Sequence, residues 1–375
     1  VQQSMWDHLN AKTSDLFFIA CRKFLKAQAK KIVDNRNLRA KNIEIDDDTD
    51  RFGMHLIEFM RLTAEGHFMP MQEMLREQPN NKKSINLLHE SVEFLVAVAR
   101  DTTVLRGMDE DELLMSDSVI DFLVEMLQGP NPGNQEFLGT TLIVDIGKRI
   151  MQAKIFKQGH NNSLTVSTIR SSVCQMFSAM MEGPERPSVK LAIAEKLDLD
   201  LFKMFVIELE RLCTTLEKTM ANKLEDEEIR QDATKENANM LSCGYELFCV
   251  YQQLATSDET LEKGIIPPTD KEPDTLIYAS AYKYLTSKIK RLEFMWCDPL
   301  QMDITYFPLC PQSKALTAPS KDRLMDSVDI STADAQKKDF LVKGQALVDE
   351  MFYLYKLQQF PPFFYLQAAY PTIRY

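Results

Sequence analysis

The chain has 375 residues, 45% hydrophobic and 26% charged, enough for two or three domains with a substantial core. Lys+Arg 44 against Asp+Glu 55 gives a net charge of -11, which argues against wholesale binding to nucleic acid or to an anionic membrane surface. The first apolar cluster is interrupted by Asp15, Arg22 and Lys23, so no signal peptide is expected, and no apolar run reaches the ~18 to 20 residues of a spanning helix. Cys21, Cys174, Cys213, Cys243, Cys249, Cys297 and Cys310 form no CxxC pair and sit mostly in apolar runs, favouring reduced thiols over a disulfide framework or a zinc site. The scarcity of glycine and of alternating β-branched residues points to helices for most of the length.

The first predicted helix spans 13–33, capped by Ser14 or Asp15, with Leu16, Phe17, Ile19, Ala20, Phe24 and Leu25 on an apolar face and Lys23, Lys26, Lys30 and Lys31 on a basic one. Asp46-Asp47-Asp48-Thr49-Asp50 lacks the glycine and bidentate glutamate of an EF-hand and reads as a loop. Further helices are predicted from Arg51 to Thr63, from His67 to Gln78 around Pro70, from Ile85 to Arg100, from Val119 to Gln128, and from Phe137 to Gln152. Others follow at about 164–182, 188–196, 198–218 and 235–255. Amphipathic helices joined by short polar links indicate a mainly α fold, an armadillo-like α-helical solenoid or an irregular bundle, although no exact repeat period is visible. After Asp258 the proline-rich stretch 265–273 reads as a linker, and a helix is predicted around Asp274 to Tyr284. Period-two alternation in Ser287 to Phe294 and Leu300 to Phe307, around Asp298-Pro299, predicts a β-hairpin, and Phe340 to Leu357 returns to helix. A small mixed α/β module is therefore expected after the helical one.

Two phrases set the functional question. Glu65-Gly66-His67 and Glu125-Met126-Leu127-Gln128-Gly129-Pro130 each fall where a glycine or a Gly-Pro pair should stop a helix. An acid in a last turn opposes the helix dipole, and two of them, each with another ligand at hand, suggest a cation held between two helix ends. Glu125 and Gln128 share one face of a helix, while Glu65 and His67 share a side only if the chain breaks at Gly66. Calcium takes about six to eight hard oxygens, so these residues make a modest site in which His67 orients a glutamate more readily than it binds the ion. The plain alternative is a pair of solvated helix-end acids. The five histidines form no HExxH, no nucleophile elbow or phosphate-cradling loop is present, and no enzymatic activity is expected. Met69, Met71, Met74 and Met126 read as adaptable core.

Glu65-Gly66-His67, the run from Met71 to Gln78, Asn80-Asn81-Lys82, the run from Asn86 to Leu95, and the phrase from Glu125 to Gln135 together resemble the domain shared by ryanodine and inositol trisphosphate receptors, over 51–155. Ser171 to Gly183, the hairpin with Ala315-Leu316-Thr317 and Ser320 to Leu324, and Leu347 to Met351 resemble the inositol trisphosphate branch, and no ryanodine-type EF-hand pair follows the helical domain. The resemblance implies a leading helix and acidic loop at 1–50, an armadillo-type helical domain at 51–256, an intervening lateral domain at 257–351 and a pre-transmembrane tail at 352–375. It implies a tetrameric calcium-release channel, on the cytosolic face of the endoplasmic reticulum membrane. Glu65 and Glu125, with His67 and Gln128 nearby, would serve an activating Ca2+ site completed by a threonine carbonyl of the linker after the pore. Lys321 would meet the phosphates of ATP, and Met325 stands where an aromatic contacts adenine in the family. Partners implied are that linker and neighbouring subunits, with neither nucleic acid nor inositol trisphosphate bound by this region. The alternatives are a structural coupling scaffold that binds no calcium of its own and a ryanodine receptor-type fragment.

Overall fold

The computed structural model describes residues 1–11, 14–43, 52–100, 105, 108, 110–152, 161–183, 187–221, 243–268, 272–297, 300–308, 318–329, 331, 333–360 and 362. The acidic run 46–50 and most of 361–375 lie outside them. The chain divides into two compact units, one of Val1–Trp296 with Gln301–Phe307, the other of Cys297–Leu300 with Pro308–Tyr375.

The first unit is built from helices α1 (Gln2–Ala11), α2 (Asp15–Ala40), α3 (Phe52–Ala64), α4 (Met69–Arg76), α5 (Leu87–Val98), α6 (Glu110–Leu127), α7 (Pro132–Gly139), α8 (Ile143–Gln152), α9 (Asn161–Met180), α10 (Pro187–Lys196) and α11 (Leu199–Ala221). They are followed by α12 (243–255), α13 (Glu259–Ile265), α14 (Pro273–Thr286) and an antiparallel hairpin of β1 (Ile289–Cys297) and β2 (Leu300–Pro308). The helices stack with a period of three: α2 packs on α5 and α5 on α8, α3 on α6 and α6 on α9, α1 on α4, α4 on α7 and α7 on α10, and α11 on α14. Bonds extend the ladders, with Lys148 of α8 paired to Asp198 just before α11 (2.7 Å), Ser171 of α9 donating to Glu246 of α12 (3.2 Å), and Lys190 of α10 reaching Ser257 before α13 (3.4 Å). Three-helix repeats stacked this way bury a continuous core, as an armadillo-type fold requires.

Local sequence starts and stops these helices. Asn86 and Asn131 accept the backbone N–H of His89 and Asn134 and so begin α5 and α7, and Asp258 accepts those of Thr260 and Leu261 to begin α13. Pro70, Pro132 and Pro273 occupy first turns, where a missing N–H costs nothing. At the centre, α6 buries Val119, Ile120, Phe122, Leu123, Met126 and Leu127, each fully buried side chain contributing ~1.5 to 3 kcal/mol. Farther along, Phe202 of α11 stacks on Phe248 and Tyr251 of α12, and Tyr278 of α14 meets Phe202 edge-on.

Several boundaries differ from the sequence reading. Residues 2–11 form a helix of their own, and α2 runs on to Ala40. Ser14 precedes α2 but makes no side-chain cap; its N–H and hydroxyl turn to the Asn81 side chain instead. The stretch from Phe137 to Gln152 is two helices, because the Thr140 and Thr141 hydroxyls bond back to the Phe137 and Leu138 carbonyls and replace the helical ladder. The acidic stretch before Val119 is largely the start of α6, where Glu112 is buried against Arg36 (2.9 Å) and Arg39 (3.2 Å) of α2. The five described cysteines with assigned burial, Cys21, Cys174, Cys213, Cys243 and Cys249, are buried free thiols.

In the second unit, α15 (Ala318–Ser327) packs on α16 (Ala333–Gln359). Lys343 fastens the two, pairing with Asp339 (2.6 Å) and donating to the Ser327 carbonyl. Among the described residues, no helix is long and apolar enough to cross a membrane.

Candidate functional site

The two phrases meet where α3 and α6 end side by side. After Ala64 the chain turns through Gly66 (φ 73°) and His67 (φ 64°), a left-handed conformation that glycine adopts freely and histidine adopts rarely. After Leu127 it turns through Gly129 (φ 124°), where a Cβ would lie 3.0 Å from the Cβ of His67. The end of one repeat thus rests on the end of the next, and the left-handed turn places the His67 N–H against Glu125.

That N–H donates to Oε1 of Glu125 at 3.2 Å, and the His67 Nδ1 lies 3.8 Å from the same oxygen. The backbone of His67, more than its ring, orients the carboxylate. The Glu125 side chain is 12% exposed and that of Glu65 58%. Glu65 reaches toward Arg61, whose Nη1 is 4.0 Å from its Oε1, while Arg61 forms a fork with both oxygens of Glu58 at 2.8 Å. The Glu58 bond first, then the charges of Glu58, Glu65 and Glu125, hold this guanidinium firmly protonated.

Buried amides lock the helix ends. Gln72 of α4, fully buried, donates to the carbonyls of Glu125 (2.7 Å) and Gln128 (3.0 Å) and accepts from Asn131 Nδ2 (3.1 Å). Gln2 of α1 does the same one repeat earlier, donating to the carbonyls of Leu62 (3.1 Å) and Glu65 (2.8 Å). Gln135 of α7 repeats it one step later, on Ala179 and Glu182 (both 2.8 Å). Each clamp takes two carbonyls three residues apart, the second belonging to Glu65, Gln128 or Glu182, and each of these precedes a glycine of positive φ, Gly66, Gly129 or Gly183. Glu65 and Gln128 are therefore equivalent positions in successive repeats. Sequence reasoning missed this repeat, whose signal is the recurring acid-or-amide followed by glycine.

The structure thus brings Glu65, His67, Glu125 and Gln128 to one joint. Met71, Met74 and Met126 are core, whereas Met69 is exposed. Lys321 and Met325 fall four residues apart on α15, and their side chains lie outside the described residues. Among the described residues, no group of three or more His, Cys, Asp or Glu could hold a metal ion. Two carboxylates and an amide oxygen are of the kind a hard cation takes, but they number fewer than the about six to eight oxygens of calcium.

A comparison with protein families matches residues 48–151, about a quarter of the chain, to the family described as RyR and IP3R Homology associated. The matched segment runs from just before α3 to the end of α8 and contains the whole joint.

Proposed function

By this homology-associated domain the chain belongs with the ryanodine and inositol trisphosphate receptors, and from that premise we propose that it is the cytosolic calcium-sensing and coupling region of an inositol trisphosphate receptor-type release channel. The observation that carries the reading is the Glu125 carboxylate seated on the His67 N–H across the α3–α6 joint, with Glu65 on the adjoining turn. In this role the region performs no chemistry on a substrate. It lies at the endoplasmic reticulum membrane within a homotetramer, and contacts the linker that follows the pore.

Glu65, Glu125 and Gln128 would hold the cation, and His67 would keep Glu125 aimed. Bound calcium would supply positive charge that offsets two carboxylates at helix ends already partly negative. The protein's own part is to hold those ends in place. Gln72 and Gln2 fix the last turns of α6 and α3, so a change at the joint is passed on as movement of packed helices instead of fraying of their ends. A cation that binds one arrangement of this joint and its partner linker more tightly biases the gate by that difference in affinity.

A second reading has an observation of its own. Arg61 already answers the charge of Glu65 and acts on Glu125, which favours a structural scaffold that relays ligand state without binding calcium. Calorimetric titration with calcium separates the two. The first reading predicts weak binding, with Kd of about 0.1 to 1 mM because part of the shell is supplied elsewhere. It also predicts loss of that binding in Glu65→Gln and Glu125→Gln; heats unchanged in both variants would leave the scaffold standing.

A further inference from the structure

The second joint of the solenoid is an internal control for the first. Glu65, Gln128 and Glu182 hold the same place in successive repeats, so the residue four positions earlier is Arg61 in α3, Val124 in α6 and Ser178 in α9. The residue three positions earlier is Leu62, Glu125 or Ala179. The α3–α6 joint therefore sets Arg61 and Glu65 against Glu125, whereas the α6–α9 joint has Val124, Gln128 and Ala179 in the matching places. Both joints close in the same way. Glutamines clamp the helix ends, Gln2 and Gln72 at the first joint and Gln72 and Gln135 at the second. The glycine of each later turn lies against the turn before it, Gly129 on His67 and Gly183 on Pro130. The second joint does this with uncharged side chains at all three places, and Val124 there is buried. Stacking thus requires neither the acids nor the cation, and the arginine occurs at the joint where the acids occur.

Arg61 is placed to serve those acids incompletely. Its Nε and Nη2 donate to the two oxygens of Glu58 at 2.8 Å, while Nη1 lies 4.0 Å from Oε1 of Glu65. Its charge also acts on Glu125 across the joint. The fork to Glu58 is a bidentate, charge-assisted pair, and the contact with the exposed Glu65 is a long one. One guanidinium among three carboxylates leaves the group net negative. Because its anchor is Glu58, the guanidinium can withdraw from Glu65 without losing its fork.

We propose that Arg61 is the internal counter-ion of the α3–α6 joint, a positioning residue that sets how tightly the joint takes a divalent cation, with Glu58 holding it back from Glu65 so that the cation can compete. The inference rests on the reading of Glu65 and Glu125 as calcium ligands and adds a residue that is not itself a ligand. A guanidinium carries donors only, so it cannot coordinate a cation and acts on one by repulsion. An exposed charge pair at this spacing is worth a factor of up to about five in an equilibrium constant. Removing Arg61 should therefore tighten binding, and freeing it from Glu58 should loosen it.

The test is calorimetric titration of the whole chain with calcium, for the wild type, Arg61→Gln, Glu58→Gln and the double variant, with urea unfolding in the absence of calcium to show that each is folded. Arg61→Gln should lower Kd about two- to fivefold. Arg61→Val, which carries the residue of the second joint into the first, should do the same. Glu58→Gln should raise Kd about twofold in the wild type and have little effect once Arg61→Gln is present, since no guanidinium is left to release. Equal effects of Glu58→Gln in both backgrounds would mean that the two charges act independently, and would overturn the restraint by Glu58. A Kd unchanged or raised in both Arg61→Gln and Arg61→Val, with binding still lost in Glu65→Gln and Glu125→Gln, would overturn the counter-ion and leave the calcium site standing. Heats that survive in Glu65→Gln and Glu125→Gln would instead sink the calcium reading, and this inference with it.

Discussion

Replacing Gln72 with methionine, similar in length and flexibility but without the amide, tests the clamp at the end of α6. The wild-type side chain is fully buried and makes three bonds, to the carbonyls of Glu125 and Gln128 and from the amide of Asn131. At about 1 kcal/mol of net stability per bond, and somewhat more where a buried partner is left unpaired, the loss should be about 3 kcal/mol. Gln135→Met removes the equivalent clamp one repeat later, where two bonds are made, and should cost about 2 kcal/mol. The assay is urea unfolding with hydrogen exchange read by peptide. Exchange should speed up in the last turn of α6 for Gln72→Met and in the last turn of α9 for Gln135→Met, each leaving the other turn protected. A loss under about 0.5 kcal/mol for both, or faster exchange spread evenly over the repeats, would refute the claim that these amides hold the helix ends.

Glu112→Gln leaves Arg36 and Arg39 without their carboxylate, and urea unfolding should show a loss of roughly 3 kcal/mol, at the low end for a broken buried pair because Arg39 is 39% exposed. Added salt should recover little of it. Gly129→Ala combines a strained φ with a Cβ 3.0 Å from His67 and should cost roughly 2 to 3 kcal/mol. Gly66→Ala has nothing within 4 Å and should cost only about 1 kcal/mol in the same assay, for conformation alone. Equal costs at the two glycines would contradict the stacked-turn geometry.

Much of the helical architecture, the hairpin and the joint is legible in the sequence, because amphipathic periodicity, the Gly and Gly-Pro stops and period-two alternation are local signals. Glu65 and Glu125 stand out for the same reason, as acids placed before terminators. What escapes is whatever depends on partners far along the chain. The predicted start at Val119 misses the first turns of α6, because Glu112 is satisfied by Arg36 and Arg39, more than seventy residues away. The break between α7 and α8 depends on Thr140 and Thr141 turning their hydroxyls back on the helix, which propensity alone does not forecast. The three-helix repeat stays hidden because its spacing is uneven and its marker is only two residues long, Glu65-Gly66, Gln128-Gly129 and Glu182-Gly183.

We propose Glu125, held by the His67 N–H, as a calcium ligand at the joint of α3 and α6. Following the His67 backbone amide by heteronuclear NMR during a calcium titration tests it most directly, since that N–H bonds to Oε1 of Glu125 at 3.2 Å. The His67 resonance should move saturably with calcium, together with Gly66 and Gln128, and stay fixed in Glu125→Gln. A His67 amide that ignores calcium in the wild type, or that moves equally in Glu125→Gln, would contradict it.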